Sequence, residues 1–176
     1  MVDPREFARC FPSVKRLEPD SLAAFLEQLE VREYAEQNVI FAAGDEPEAV
    51  YLIASGSVLV LHSGVGGPAV TLGRIRRGEM VGEMGVVDGG PRSASAVVEQ
   101  AVVAWRLSRE GYLSLRDEGH PAIGWILGEL GRRLSQRVRS VESRIGRARE
   151  QPALASTLPA EAARSRRWYQ WLWPWS

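Results

Sequence analysis

Val81-Gly82-Glu83-Met84-Gly85-Val86-Val87-Asp88-Gly89-Gly90-Pro91-Arg92-Ser93-Ala94-Ser95-Ala96 is the stretch on which the reading of the whole chain turns. Gly82 lets the backbone come close to another group. The residues after it suit a single helical turn whose free N–H groups face an anion. Arg92 presents a planar fork of donors matched to a phosphate. Glu83 is a carboxylate beside that anion site, and it makes sense there if it accepts hydrogen bonds from sugar hydroxyls. One helix N-terminus, one Arg and one Glu are what a ribose phosphate needs. Glycines with an Arg also suit a plain barrel corner.

Working outward, short apolar runs alternate with glycine turns. Val39-Ile40-Phe41 precedes Gly44-Asp45, and Val50-Tyr51-Leu52-Ile53 precedes Ala54-Ser55-Gly56-Ser57. Val58-Leu59-Val60-Leu61 precedes Gly64 to Pro68, and Val70-Thr71-Leu72 follows. Beyond the central stretch come Val97-Val98 and Val102-Val103-Ala104-Trp105. Short strands at near-regular spacing predict an antiparallel barrel or jelly roll. Helical patterns flank this region. Glu6 to Phe11 predicts a short helix ended by Pro12. Leu22, Phe25, Leu26 and Leu29 fall at i, i+3, i+4, i+7 and predict a helix over Asp20–Leu29, with Pro19 in its first turn. Ser108 reads as an N-cap.

Pro121 opens a long last helix. Its apolar positions are Ile123, Ile126, Leu127, Leu130, Leu134, Val138, Val141 and Ile145, a narrow stripe suited to packing on a second helix. Its other faces are rich in Arg. Pro152 and Pro159 mark a linker, and the chain runs out through Arg164-Ser165-Arg166-Arg167-Trp168 to Trp175.

Composition narrows the class. The 176 residues are 45% hydrophobic and 25% charged, a globular balance. One Cys, Cys10, excludes an intramolecular disulfide, and two His, His62 and His120, argue against a histidine-built metal site. No apolar run approaches the ~18 residues of a membrane span, and the first residues carry no secretion signal. The expected location is cytoplasmic. Net charge is zero, yet residues 1–131 hold 12 Lys+Arg against 19 Asp+Glu, a net of −7, and residues 132–176 hold 10 Arg against 3 Glu, a net of +7. An acidic body thus carries a basic tail.

Gly82-Glu83-Met84, a spacer, then Pro91-Arg92-Ser93-Ala94 resembles the phosphate-binding cassette of cyclic nucleotide-binding domains, the family of catabolite-activator regulators, kinase regulatory subunits and cyclic nucleotide-gated channels. The resemblance runs from about Phe7 to about Ile145 and includes Gly44-Asp45 and Gly56 at turns. It implies an eight-stranded antiparallel β-roll with N-terminal helices (about 1–30), the roll itself (about 31–107) and C-terminal helices (about 108–149). Residues 150–176 are left as linker and Arg/Trp-rich tail. It implies cAMP or cGMP as ligand and no metal. Glu83 would take the ribose 2′-hydroxyl and Arg92 the cyclic phosphate. The backbone at Met84, Ser93 and Ala94 would share the phosphate oxygens, with Gly82 and Gly85 in the cassette turn. Gly85 departs from the family's more frequent Ala or Ser, and predicts a cassette helix looser by up to ~1 kcal/mol. A rough alignment puts Arg137 where a base contact belongs.

The resemblance also sets expectations for output. No helix-turn-helix pattern follows the last helix, so sequence-specific DNA binding is not expected. No nucleophile–base pair or acid–base constellation is assembled, so an enzyme is not expected. The reading is a regulatory module that senses a cyclic nucleotide and signals by movement of its C-terminal helices. It would pair as a homodimer through the last helix and reach a protein partner through its tail, with membrane-surface contact as the tail's second role. The alternative is a ligand-independent scaffold that docks through the Trp-rich tail.

Overall fold

The computed structural model describes residues 2–63 and 69–150; the side chains of Ser63, Arg137, Ser140 and residues 141–150 fall outside that description. By its internal contacts the chain divides into Met1–Leu130 and Gly131–Ser176. The helices and strands follow in order. α1 is Pro4–Cys10, then a 3-10 turn spans Pro12–Arg16, and α2 is Pro19–Glu27. The strands β1 (Leu29–Tyr34), β2 (Val39–Phe41), β3 (Ala49–Ser63), β4 (Ala69–Arg76) and β5 (Met80–Val81) come next. A short α3 (Glu83–Asp88), β6 (Ser95–Ser108), α4 (Arg109–Asp117) and α5 (Pro121–Glu150) complete them.

All strand pairings are antiparallel, in the order β1-β6-β3-β4, with β2 on β6 and β5 on β3. The mainly β architecture with flanking helices is the one expected. The described residues count as six strands, near the eight expected, because β3 and β6 each run on through a predicted break. Ala54 to Ser57 is no turn: β3 runs through it, and the β3–β6 register shifts there instead. Gly56 sits at φ +80°, and a Cβ on it would lie 2.1 Å from the Ala101 carbonyl. That is a bulge in which only glycine fits. In the same way Val97-Val98 and Val102–Trp105 join into the single strand β6.

Period-two alternation sorts β3 into two cores. Val50, Leu52 and Ala54 join Trp105 and Leu107 of β6 beneath the helices. Ala49, Tyr51 and Ile53 join Ala96, Val98, Val102 and Ala104 inside the roll. The helix-side core is aromatic. Phe7 lies 5.2 Å from Phe11, 4.9 Å from Trp105 and 5.8 Å from Trp125, ring centre to ring centre, and Phe11 meets Trp125 edge-on at 5.6 Å. Ser13 reinforces this clamp: its hydroxyl donates to buried Glu129 and accepts from Trp125 Nε1 at 2.9 Å. The N-terminal helix and the first turns of α5 are therefore one packed layer.

Local signals set the helix boundaries. Asp3 caps α1 by accepting from the Arg5 amide at 2.8 Å, and Pro4 opens it. Ser108 caps α4 through the Gly111 amide at 3.0 Å. Leu29, read as the last helical apolar position, instead begins β1 and pairs with Leu107. The α5 stripe divides. Ile123, Ile126 and Leu130 are buried, while Leu127, Leu134 and Val138 are exposed. No helix among the described residues is long and apolar enough to cross a membrane.

Candidate functional site

Gly82 and Gly89, both at positive φ, bracket α3, a single short helix between β5 and the loop that leads to Arg92. The loop is fastened to the turn before β3. The Gly44 amide donates to the Arg92 carbonyl at 2.8 Å, and the Arg92 amide donates to the Asp45 carbonyl at 2.9 Å. Asp45 Oδ2 in turn accepts from the Ala42 amide at 2.7 Å. Residues far apart in sequence thus fix the Arg92 backbone.

The Arg92 side chain is turned inward and is only 5% exposed. Its Nη1 donates to the Gly82 carbonyl at 2.6 Å and its Nη2 to the Ala49 carbonyl at 2.5 Å. The guanidinium carbon stands 4.1 Å from the centre of the Phe41 ring, a cation–π arrangement. Phe41 in turn stacks on Tyr51 at 6.1 Å. The Arg92 Nε is buried and has no hydrogen-bond partner. Burial pushes the guanidinium below its usual value, and Tyr51, Glu83, Asp45 and Glu48 pull it back up.

Arg92 lines a cavity of about 300 Å³ together with Ile40, Phe41, Asp45, Glu46, Glu48 and Tyr51. Its walls combine one buried cation, an aromatic floor and three carboxylates.

The expected site residues are placed as follows. Gly82 and Arg92 are in direct contact, and a Cβ on Gly82 would lie 2.6 Å from Arg92 Nη1 and 3.1 Å from Phe41 Cε1, so no larger residue fits without displacing the guanidinium. Glu83 is half-buried at the start of α3, and its charge is felt by Arg92. Met84 and Ser93 are exposed, and Ala94 is buried. Gly85 is buried, and the expectation of a loosened helix gives way to one of close packing. A Cβ there would lie 2.7 Å from the Gly90 carbonyl and 2.8 Å from Pro47 Cβ. The Arg137 side chain and the tail beyond residue 150 lie outside the described residues.

Sequence reading did not single out Phe41, Tyr51, Glu46 or Glu48, and took Gly44-Asp45 only as a turn. A signal for Asp45, Glu46 and Glu48 was available, since three acids in four residues directly precede the apolar run of β3. Among the described residues no group of His, Cys, Asp and Glu is arranged to hold a metal ion.

Comparison with known proteins fits this geometry. A family model described as "cyclic nucleotide-binding domain" matches residues 31–118. Over 104 residues the chain is 38% identical to a cyclic AMP receptor protein of Thermus thermophilus, covering 59% of this chain and 48% of that one. It is 33% identical to a cAMP-dependent protein kinase regulatory subunit of Aspergillus niger, again over 59% of this chain but 25% of the other. The chain therefore spans half or less of the length of these curated relatives. Among solved structures, the catabolite activator protein of Thermus thermophilus superposes with a TM-score of 0.63 at 32% identity. That superposition covers 77% of this chain and 62% of that one.

Proposed function

Because the chain belongs to the cyclic nucleotide-binding domain family, we propose that a cyclic nucleotide binds at Arg92, between its cavity and the adjoining Gly82–Gly85 turn, whose residues touch Arg92 but do not line that cavity, and that the chain acts as a regulatory, sensing module. One observation carries this reading. A nearly fully buried guanidinium faces a cavity and keeps a buried Nε without a partner. A guanidinium has five N–H donors. Two serve the Gly82 and Ala49 carbonyls and hold its plane. An unpartnered buried donor costs about 1–3 kcal/mol, and a phosphate oxygen would remove that cost.

In this reading Glu83 takes the ribose hydroxyl, and the backbone from Gly82 to Gly85 and at Ser93 and Ala94 closes around the phosphate. The three carboxylates on the cavity wall add a selectivity. A cyclic phosphodiester carries one negative charge and an open-chain phosphomonoester carries close to two. Asp45, Glu46 and Glu48 therefore penalise the open-chain nucleotide more. The candidate ligands are cAMP and cGMP; the two curated relatives are a cyclic AMP receptor protein and a cAMP-dependent kinase subunit by name, so cAMP is tested first. Signalling would follow a shift between conformations that bind the ligand unequally. It would pass through α5, whose exposed Leu134 and Val138 offer an apolar edge for a second copy of the chain or for a partner protein.

The test is calorimetric titration of nucleotide-stripped protein with cAMP and with cGMP, beside Arg92→Ala. Binding at micromolar or tighter Kd, weakened at least a hundredfold by the substitution, is expected; removing a charge-assisted contact and exposing buried carbonyls accounts for about 3 kcal/mol. No heat with either nucleotide, from protein shown by circular dichroism to be folded, overturns the reading.

A further inference from the structure

β1 stands at the end of its sheet. It pairs with β6 along its whole length, and among the described residues no strand pairs with its other side. Its outward N–H and C=O groups are therefore a template for one more strand. The two faces of β1 differ. On one, Glu30 accepts from Arg32 Nη2 at 2.6 Å and from Arg106 Nη1 at 3.4 Å, so the charges there are spent on each other. On the other lie Val31 and Glu33, two residues apart.

Val31 stands opposite Trp105, which is only 3% exposed, yet Val31 itself is 47% exposed. The helix layer thus covers the sheet as far as Trp105 and stops short of the edge. Glu33 stands opposite Val103, and Val103 opposite Ser55 of β3. That row floors a groove of about 500 Å³ whose lining is otherwise uncharged. Among the described residues Glu33 enters no ion pair.

We propose that β1 takes up an extended basic segment of a partner protein as an added strand, with an apolar side chain beside Val31 and a Lys or Arg, two residues on, beside Glu33. Directly opposed side chains on neighbouring strands lie about 5 Å apart, close enough for both contacts. The stem of the basic residue would rest on Val103 while its head meets the carboxylate. Main-chain bonds would hold the segment, and the two side chains would select it. Charge favours this occupant. The body, residues 1–131, has a net charge of −7 and steers cationic partners toward itself. Glu33 also disfavours a second copy of the chain. Two β1 strands paired antiparallel across a two-fold keep like faces together, so Glu33 would meet Leu29, Val31 or Glu33 of the other copy and never a cation.

The experiment uses the full chain and a fluorescein-labelled peptide of the repeat Thr-Val-Thr-Lys, in which Val and Lys alternate on one face, read by fluorescence anisotropy at low salt. Saturable binding is expected, weakened about tenfold or more by Glu33→Arg and lost when Glu replaces Lys in the peptide. Val31→Ser, shown by circular dichroism to be folded, should weaken it about threefold or more. Glu36→Arg makes the same charge change just beyond the strand and should leave binding within about twofold. Four outcomes overturn the assignment. The first is no binding at low salt. The second is equal weakening by Glu36→Arg, which means diffuse attraction to an acidic body. The third is undiminished binding of a peptide N-methylated along its backbone, which means no strand is added. The fourth is binding seen only when Arg166 and Arg167 are both replaced by Glu, which gives the edge to the chain's own C-terminal segment.

Discussion

Gly85→Ala separates two physical effects of opposite sign. Within α3, alanine is favoured over glycine by about 1 kcal/mol, because glycine loses more backbone freedom on folding. The surroundings oppose it. The new Cβ would stand 2.7 Å from the Gly90 carbonyl oxygen and 2.8 Å from Pro47 Cβ. Ordinary contact begins near 3.4 Å, so the neighbours must retreat by roughly 0.6 Å. Neither obstacle is the end of a flexible side chain, and overpacking of this kind costs about 1–3 kcal/mol. With the cost in the upper part of that range, the net is a loss of about 1–2 kcal/mol.

Gly124→Ala is the matched control. It lies in helix α5, is exposed, and a Cβ there meets nothing within 4 Å, so only the gain of about 1 kcal/mol remains. At this chain length 1 kcal/mol moves Tm by about 2–4 °C. Thermal melts should show Gly85→Ala falling by about 2–8 °C and Gly124→Ala rising by about 2–4 °C. Titration with cAMP should show weaker binding by the first and unchanged binding by the second. A rise in Tm for Gly85→Ala equal to that for Gly124→Ala would refute the packing argument.

Phe41→Leu removes the aromatic face beneath Arg92 while keeping an apolar residue at the end of β2. It should weaken cyclic nucleotide binding about three- to tenfold, the scale of a cation–π contact of about 1 kcal/mol, and calorimetry checks it. Asp45→Asn, Glu46→Gln and Glu48→Gln together should raise the affinity for linear adenosine monophosphate more than that for cAMP. An unchanged ratio of the two Kd values would remove the carboxylates from selectivity. Burial beside Tyr51 pushes the Tyr34 phenol up to about 12. Its folded value is raised, so its contribution to stability is complete below pH 10 and is lost as pH rises from there toward 12. Urea melts across that range should show the decline, and Tyr34→Phe should flatten it.

What sequence made legible was local. The Ser108 cap, Pro121 at the head of α5 and the apolar runs of the strands all lie where short-range pattern places them. What it hid depends on distant contacts. Gly56 suits a turn or a bulge equally well by its own preferences, and only the approach of the Ala101 carbonyl from β6 decides for the bulge. Gly85 looks like a weak helix residue until Pro47, from a separate loop, is brought against it. Phe41 reads as one more strand residue until the pairing of β2 with β6 sets it beneath Arg92. The α5 spacing of three and four does not distinguish Ile126, which enters the core, from Leu127, which stays exposed. The contact of Arg92 with Gly82 was legible because the two lie within a dozen residues of each other.

The aromatic clamp between α1 and α5 bears on how such a protein can be instrumented. Val2 is buried at 2% exposure, and Phe7 and Phe11 both rest on Trp125. The start of the chain is therefore a handle on the base of the last helix. A fluorescent domain fused ahead of Pro4 would have almost no slack with which to average out its orientation, and any rotation of the base of α5 would reach it directly. The same coupling works in reverse: a bulky fusion at that end would strain the packing of Phe7 and Phe11 on Trp125. A reporter joined through a long glycine-rich linker should leave nucleotide affinity untouched, and one joined rigidly should shift it.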